Sequence, residues 1–90
     1  MKNAEIIGLG HYVPENIVTN ADLEKIMDTS NEWIIERTGI EQRRWFSPGE
    51  DTVANMSKRA TEMALKDADI AVEEIEFIVF ATITPDYFFP

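Results

Sequence analysis

The chain has 90 residues, with 17 acidic and 8 basic side chains that give a formal net charge of −9. An acidic surface repels the phosphate backbone of nucleic acid, so the composition argues against DNA or RNA as a partner. The sequence has no cysteine, which excludes disulfides, thiolate metal ligands and a cysteine nucleophile within these residues.

The first predicted element is a short buried strand over residues 5–10, where aliphatic side chains are interspersed with Gly8 and Gly10. Because glycine has no Cβ, the pair predicts that another element approaches the backbone closely. The pair lacks the third glycine and the following helix of a dinucleotide-binding loop, so we do not interpret it as a cofactor site. Pro14 ends the strand and begins a loop.

Neither a targeting segment nor a membrane span is predicted. The apolar run near the N-terminus is too short for the hydrophobic region of a signal peptide. No stretch of about 18 apolar residues occurs in the sequence. We therefore expect a cytoplasmic protein that does not insert into a membrane.

A capping box predicts the first helix. Thr19 and Asp22 stand three residues apart, so that each side chain can accept a hydrogen bond from the backbone N–H of the other. The helix is expected over residues 21–27, with its apolar side chains on one face.

A second capping box, Thr29-x-x-Glu32, predicts another helix almost immediately. This helix is expected to reach about Thr38. Gly39 would then be its C-terminal cap, because glycine adopts the left-handed conformation without a Cβ clash.

An alternating segment and a long helix follow. Residues 40–46 have a period of two, which predicts a half-exposed strand at a sheet edge or in a hairpin. A turn at residues 47–49 ends it. Asp51 or Thr52 is then expected to cap the longest helix, over residues 52–67, whose methionines and alanines recur at the spacing of a core-facing stripe.

The clearest predicted strand covers residues 75–83. Residues 77–81 are continuously apolar, which is typical of a central strand with both faces covered. The few strands and helices predicted here cannot cover such a strand, so we expect neighbouring elements beyond these residues. The loop that follows carries Tyr87, Phe88 and Phe89, an apolar surface expected to contact a partner.

Thr29, Trp33 and Arg37 form the most distinctive constellation. Within one helix, residues at i, i+4 and i+8 lie on one face. A tryptophan ring can stack on a purine, and the guanidinium of Arg37 offers forked donors to a phosphate. The trio would therefore suit an adenine nucleotide. The same spacing also fits a core tryptophan and a surface arginine at the negative end of the helix dipole, so the residues alone leave both interpretations open.

Positive charge is concentrated in one part of this acidic chain. Three of its four arginines, Arg37, Arg43 and Arg44, lie within eight positions. Such a cluster could attract an acidic partner, and it is also typical of a basic strand edge without a further role.

No catalytic residue and no metal site is predicted. His11 is the single histidine, with neither a cysteine nor a second histidine to complete a metal site. The spacing of the serines at positions 30, 47 and 57 gives no support to a serine–histidine–aspartate triad.

Several sequence motifs stand in order along the whole chain. The most specific are DTSNEWI at 28–34, RTGI at 37–40 and the arginine pair at 43–44. The others are GLGHYVP at 8–14, TNADL at 19–23, and AT at 81–82 leading to FP at 89–90. With these motifs the chain resembles the N-terminal part of the beta-ketoacyl-acyl carrier protein synthase III family, within the thiolase superfamily.

The resemblance implies an α/β fold of two similar thiolase-like halves in a homodimer, of which residues 1–90 would be the N-terminal portion of the first half. It implies a decarboxylative condensation that joins a short acyl group from coenzyme A to malonyl-acyl carrier protein and starts fatty-acid synthesis. The thioester is then a substrate, and no permanently bound cofactor is expected. The family's catalytic cysteine, histidine and asparagine lie beyond Pro90, so these residues alone are expected to be inactive.

The resemblance also implies roles for particular residues. Thr29 and Trp33 would hold the adenine of coenzyme A, and Arg37 would lie beside its phosphates at the mouth of the pantetheine tunnel. For Trp33 this favours a binding role over a core role. Phe89 would reach across the dimer to line the acyl pocket of the partner.

Two alternatives remain open at this stage. One is a related ketosynthase III-like enzyme, such as an alkylquinolone or polyketide starter synthase, or a hydroxymethylglutaryl-CoA synthase. The other is a non-catalytic α/β module that binds a nucleotide or a partner protein through Trp33 and the arginine cluster.

Overall fold

The structure is a computed structural model that describes residues 2–87. Its strands and longer helices are, in chain order, β1 (Asn16–Thr19), α1 (Asn20–Glu24), α2 (Asn31–Thr38), β2 (Gln42–Trp45) and α3 (Val53–Ala68). A 3-10 helix at Val72–Glu74 follows α3. The chain divides into two compact units: a central unit, Val13–Glu50, and a long-helix unit, which consists of the described parts of residues 1–12 and 51–90.

The sheet of the central unit pairs β1 with β2 in antiparallel orientation, with Asn16 opposite Trp45. The strand predicted at residues 40–46 is therefore confirmed, although α1 and α2 connect the pair instead of a hairpin turn. The loop predicted to begin at Pro14 is present but short, because β1 begins at Asn16. Four residues are too few for a recognisable alternation, so the strand depends on its partner.

The first helix has the predicted cap and ends earlier than expected. The Thr19 hydroxyl accepts a hydrogen bond from the Asp22 N–H at 3.2 Å, and the Asp22 carboxylate accepts from the Thr19 N–H at 2.9 Å. This reciprocal pair confirms the capping box. α1 ends at Glu24, whereas residues 21–27 were predicted. Short helices need a buried face to persist, and Met27 is exposed.

The second helix begins one residue later than predicted. Its N-cap is Ser30, whose hydroxyl accepts a hydrogen bond from the Trp33 N–H at 3.1 Å. The prediction that Thr29 is the cap is wrong, because two adjacent hydroxyl residues are equally able to cap and spacing cannot choose between them. Gly39 is the predicted left-handed C-cap, with a φ of 71°.

α3 lies close to the predicted bounds of 52–67. The Thr52 hydroxyl accepts a hydrogen bond from the Asn55 N–H at 3.1 Å, which is the expected N-cap arrangement. The helix ends where Asp69 adopts the left-handed conformation, with a φ of 55°.

The N-terminal end of α3 also binds a carboxylate from later in the chain. The two carboxylate oxygens of Asp86 accept hydrogen bonds from the backbone N–H groups of Val53 and Ala54, at 2.8 and 2.9 Å. A negative charge is favourable at this position, because the first N–H groups of a helix have no acceptor within it and carry partial positive charge.

The N-terminal segment lies against α3, as its two glycines predicted. A Cβ added to Gly8 would stand 2.6 Å from the carbonyl oxygen of Ala64, and one added to Gly10 would also collide with the helix backbone. The Leu9 N–H donates a hydrogen bond to the Asp67 carboxylate at 3.0 Å. The glycines therefore allow backbone-to-helix packing within the long-helix unit.

Two predicted strands, at residues 5–10 and 75–83, are wrong as secondary structure. Over residues 2–87 the sheet consists of β1 and β2, and neither segment joins it. Phe77 and Val79 are 82% and 84% exposed, whereas burial on both faces was predicted. A strand is held by hydrogen bonds to a neighbouring strand, and an apolar face is buried only against another layer. The described part of the chain provides neither for these segments.

The buried aliphatic side chains of the described residues belong to the central unit. They are Val18 on β1 and Ile34 on α2, exposed by 7% and 8%. The predicted core stripe of α3 is only partly covered, since Val53 is half-buried and Met63 is 45% exposed. No helix within residues 2–87 is long and apolar enough to cross a membrane.

Candidate binding site

The candidate site is an open cleft at the N-terminal turn of α2. Asp28, Thr29, Ser30 and Trp33 line it, and its volume is about 290 Å³. We call it the Trp33 cleft. It lies entirely within the central unit, and it contains two of the three residues that the sequence predicted for adenine binding.

Trp33 is held by its backbone and presents its ring to solvent. The Ser30 cap fixes the Trp33 N–H, while the side chain is 54% exposed. Within residues 2–87 this tryptophan is therefore not part of the core, and its binding role stays a prediction. An exposed indole is a large rigid apolar surface with one polar N–H, and this combination favours stacking on a planar ligand.

Arg37 lies one helical turn further along α2 and interacts with the same ring. Its guanidinium carbon is 5.4 Å from the centroid of the Trp33 ring, which is a cation–π distance. The pair places a positive charge against an aromatic surface, in a chain whose net charge is −9. A ligand that is aromatic at one end and anionic at the other matches this arrangement.

Thr29 reaches the cleft from outside the helix. Its backbone N–H donates a hydrogen bond to the Met27 carbonyl at 3.0 Å, in the turn that precedes α2. The predicted i, i+4, i+8 relation within one helix is therefore wrong for Thr29, because Ser30 is the N-cap and the helix begins at Asn31. The three predicted residues nevertheless lie side by side, since Thr29 and Trp33 share the cleft and Arg37 stacks on the indole.

The other two clustered arginines have internal partners. Arg43 donates to the Val18 carbonyl at 3.3 Å and to the side-chain oxygen of Asn20 at 2.8 Å. Arg44 donates to the Pro14 carbonyl at 2.9 Å. The cluster at 37–44 therefore separates into two arginines that bind the chain's own oxygen atoms and one, Arg37, at the cleft.

Asn20 is a buried residue that the sequence analysis did not single out. It is 1% exposed, and its amide donates to the Asn31 side-chain oxygen and to the Ile40 carbonyl, both at 2.9 Å. In the sequence, Asn20 directly follows the Thr19 cap, and no periodic pattern of apolar residues predicts that it is buried. Its role depends on partners that are distant in the sequence.

The first turn of α1 holds a carboxyl group with a perturbed pKa. The pKa of Asp22 is lowered from its ordinary value of 3.8, chiefly by the hydrogen bond from the Thr19 N–H and also by the Thr19 side chain. Hydrogen bonds that favour the charged form lower the pKa in this way. This carboxylate is part of the helix cap and does not line the Trp33 cleft.

The described residues provide binding groups without a reactive constellation. Over residues 2–87, no group of three or more histidine, cysteine, aspartate or glutamate side chains is placed to hold a metal ion. His11 contributes its backbone N–H to a hydrogen bond with the Met63 sulfur at 3.4 Å. Phe89, predicted to line a partner's acyl pocket, lies outside the described residues, so its role stays a prediction.

Solved structures define the class of fold. Over 97% of this chain and 27% of that chain, the structure matches beta-ketoacyl-[acyl carrier protein] synthase III of Thermus thermophilus, with a TM-score of 0.85 and 44% identity. A match to 3-oxoacyl-[acyl-carrier-protein] synthase III of Aquifex aeolicus has a TM-score of 0.72 and 51% identity, over 77% of this chain and 22% of that chain. The chain is thus part of a thiolase-like α/β fold, as predicted.

Sequence comparison gives the family. The beta-ketoacyl-[acyl-carrier-protein] synthase III of Bacillus pumilus is 54% identical over 88 residues, which is 98% of this chain and 28% of that protein. The enzyme of Halalkalibacterium halodurans is 51% identical over 90 residues, or 100% and 28% of the two proteins. No protein-family model matches. Over its whole length the chain is therefore a homologue of part of beta-ketoacyl-[acyl-carrier-protein] synthase III, and it spans about 28% of the length of these curated relatives.

Proposed function

We propose that the chain is part of a condensing enzyme that joins a short acyl group from coenzyme A to malonyl-acyl carrier protein and so initiates fatty-acid synthesis. The observation that carries this proposal is the identity of about 50% along the whole chain with relatives named beta-ketoacyl-[acyl-carrier-protein] synthase III. The active protein would be a cytoplasmic homodimer. The names of the relatives favour this activity over a non-catalytic module and over a synthase of another pathway.

Within that enzyme, the Trp33 cleft would bind the nucleotide end of coenzyme A. The exposed indole offers a stacking surface for adenine. The guanidinium of Arg37 lies against the same ring, where it can donate to phosphate oxygens. Thr29 also lines the cleft, and a threonine hydroxyl can donate or accept a hydrogen bond.

The chemistry itself requires residues other than those of this chain. A condensing enzyme of this family is expected to carry the acyl group on a cysteine thiolate, and the sequence has no cysteine. The contribution of the described residues would be to bind and orient the coenzyme A thioester. We accordingly expect these 90 residues, purified alone, to show no condensation of acetyl-CoA with malonyl-acyl carrier protein.

The function is tested with the full-length protein that contains this sequence. Acetyl-CoA and malonyl-acyl carrier protein are supplied, and formation of the acetoacetyl-carrier product and carbon dioxide is followed. Turnover that requires both substrates supports the proposal. Coenzyme A binding without turnover would instead favour a non-catalytic binding module, and absence of both binding and turnover would contradict the assignment of the site as well.

The charge of Arg37 provides a test of the site alone. Arg37→Ala is expected to weaken coenzyme A binding most at low ionic strength, because salt screens an exposed charge–charge interaction. Arg37→Lys is the matched control, since it keeps the charge and loses the planar fork. Isothermal calorimetry at several salt concentrations measures the effect. If the salt dependence of Arg37→Ala equals that of the wild type, the guanidinium does not face the phosphates.

A further inference from the structure

The most buried of the residues within 2–87 is polar. Asn20 is 1% exposed, less than either of the buried aliphatic residues, Val18 and Ile34. Removing an amide from water costs free energy unless its donors and acceptor find partners. A buried asparagine with a complete set of partners fixes the elements that supply those partners in one relative arrangement.

The side chain of Asn20 has partners on three sides. Its amide nitrogen donates to the side-chain oxygen of Asn31 and to the carbonyl of Ile40, each at 2.9 Å. Its side-chain oxygen accepts from the guanidinium of Arg43 at 2.8 Å. We call these four residues the Asn20 network. Both amide hydrogens are used, and no buried side-chain nitrogen or oxygen of the described residues lacks a hydrogen bond.

The network is connected to the Trp33 cleft through the first turn of α2. Asn31 is the first residue of that helix, directly after the Ser30 cap. Its backbone N–H donates to the carboxylate of Glu24 at 3.2 Å, so α1 holds it on a second side. Ser30 in turn holds the Trp33 N–H at 3.1 Å. The position of the cleft wall therefore depends on where Asn31 is anchored.

We propose that Asn20 and Asn31 are positioning residues that fix the N-terminal turn of α2, and with it the indole of Trp33, in the orientation that binds the nucleotide end of coenzyme A. This inference rests on the proposed function of the cleft. Neither asparagine lines the cleft, so both act through the helix. A preorganised turn binds more tightly because ordering it is not part of the cost of binding.

The test compares Asn31→Ala with Asn31→Asp in the full-length protein. Alanine removes the oxygen that accepts from Asn20, and aspartate keeps an acceptor in its place. Each variant is assayed for the KM of acetyl-CoA, the KM of malonyl-acyl carrier protein and kcat. A variant that only destabilises the fold loses active enzyme and lowers apparent kcat, whereas a misplaced cleft raises the KM for the coenzyme A substrate alone.

We expect Asn31→Ala to raise the KM for acetyl-CoA about three- to tenfold, in line with the loss of one hydrogen bond. Its kcat and its KM for the carrier substrate should stay within about twofold of the wild type, which is the scale of a surface substitution. Asn31→Asp should restore the KM for acetyl-CoA. The proposal is overturned if the alanine variant lowers kcat alone or changes nothing, or if the aspartate variant is equally impaired.

Hydrogen exchange separates this proposal from the function on which it rests. If the wild-type protein has no acetyl-CoA-dependent activity, the proposed function fails, but amide exchange of residues 29–34 can still be measured without ligand. Faster exchange in Asn31→Ala than in Asn31→Asp supports the anchoring of α2. Equal exchange rates in the two variants overturn it.

Discussion

The two units of the chain use their polar and apolar residues in opposite ways. The central unit buries an asparagine with a complete set of hydrogen bonds and exposes a tryptophan in a cleft. The long-helix unit exposes a continuous apolar segment, including Phe77 and Val79, that no described strand or layer covers. Both units expose single large apolar side chains, such as Ile26 and Phe46 of the central unit, but the continuous apolar segment of the long-helix unit is the kind of surface that is typically covered by a partner. Large apolar side chains are therefore exposed in two settings in this chain: the Trp33 ring in its cleft, and the uncovered apolar segment of the long-helix unit.

The largest effect on stability is expected from removing the Asn20 network of the central unit. Asn20→Ala should lower the free energy of unfolding by about 2–4 kcal/mol, because it removes the partner of the Asn31 side-chain oxygen, the partner of the Ile40 carbonyl and one of the two hydrogen bonds of Arg43. Urea denaturation of the full-length protein, followed by circular dichroism, measures it. Asn16→Ala, at an exposed position at the start of β1, is the control and should change stability by no more than about 0.5 kcal/mol. Similar losses of unfolding free energy in both variants would mean that the Asn20 network does not stabilise the fold more than an exposed residue does.

A comparable test addresses the packing of the long-helix unit. Gly10→Ala should destabilise the protein by about 1–3 kcal/mol, because the added Cβ collides with the backbone of α3. Gly49→Ala is the matched control: Gly49 has a φ of 85° and no neighbouring atom within 4 Å, so only backbone strain of about 1 kcal/mol is expected. The same denaturation experiment serves for both. A Gly10→Ala variant as stable as the wild type would show that this segment does not stay against the helix.

Ligand binding tests whether the exposed ring of Trp33 stacks on adenine. Trp33→Ala should weaken coenzyme A binding by about 1–3 kcal/mol if the indole stacks on adenine, without a matching loss of stability. Trp45→Ala is the control, because Trp45 is also exposed and does not line the cleft. Calorimetric titration of the two full-length variants gives the difference. Equal dissociation constants for the two variants would mean that the exposed ring of Trp33 does not contribute to coenzyme A binding.

The smallest expected effect concerns the cap of α1. The pKa of Asp22 is lowered in the folded chain by the Thr19 N–H, so the carboxylate stabilises the fold above pH 3.8, its ordinary pKa, and this contribution is lost as the pH falls through the lower folded value. The stability difference between the wild type and Asp22→Asn should therefore be constant at neutral pH and shrink in acid. Denaturation curves of both proteins between neutral and acidic pH provide the measurement. A pH-independent difference would contradict the capping role.

Local hydrogen-bond patterns were predictable from the sequence, and long-range pairing was not. The Thr19 capping box, the Gly39 cap and the bounds of α3 follow from residues a few positions apart, and the structure has them. A spacing of four singled out two of the cleft residues, Thr29 and Trp33, although Ser30 and not Thr29 caps the helix. The burial of Asn20 was missed because its partners lie 11, 20 and 23 positions away.

The two unconfirmed strands have the same physical origin. An apolar run predicts where a strand has the potential to form, but only a neighbouring strand gives it hydrogen bonds. Residues 75–83 have the composition of a central strand, and the described chain contains no strand beside them. The sequence therefore predicts that this segment has the composition of a central strand, but not whether a strand forms.

The carboxylate of Asp86 has a consequence for how this protein can meet phosphate groups. The leading amides of α3, a place where proteins often bind anions, already donate to an internal carboxylate. That helix terminus is electrically compensated and is closed to an incoming phosphate unless Asp86 withdraws. Under the proposed function, phosphate recognition by these residues would rest on the exposed guanidinium of Arg37 beside the Trp33 ring, a charge whose contribution weakens as the salt concentration rises.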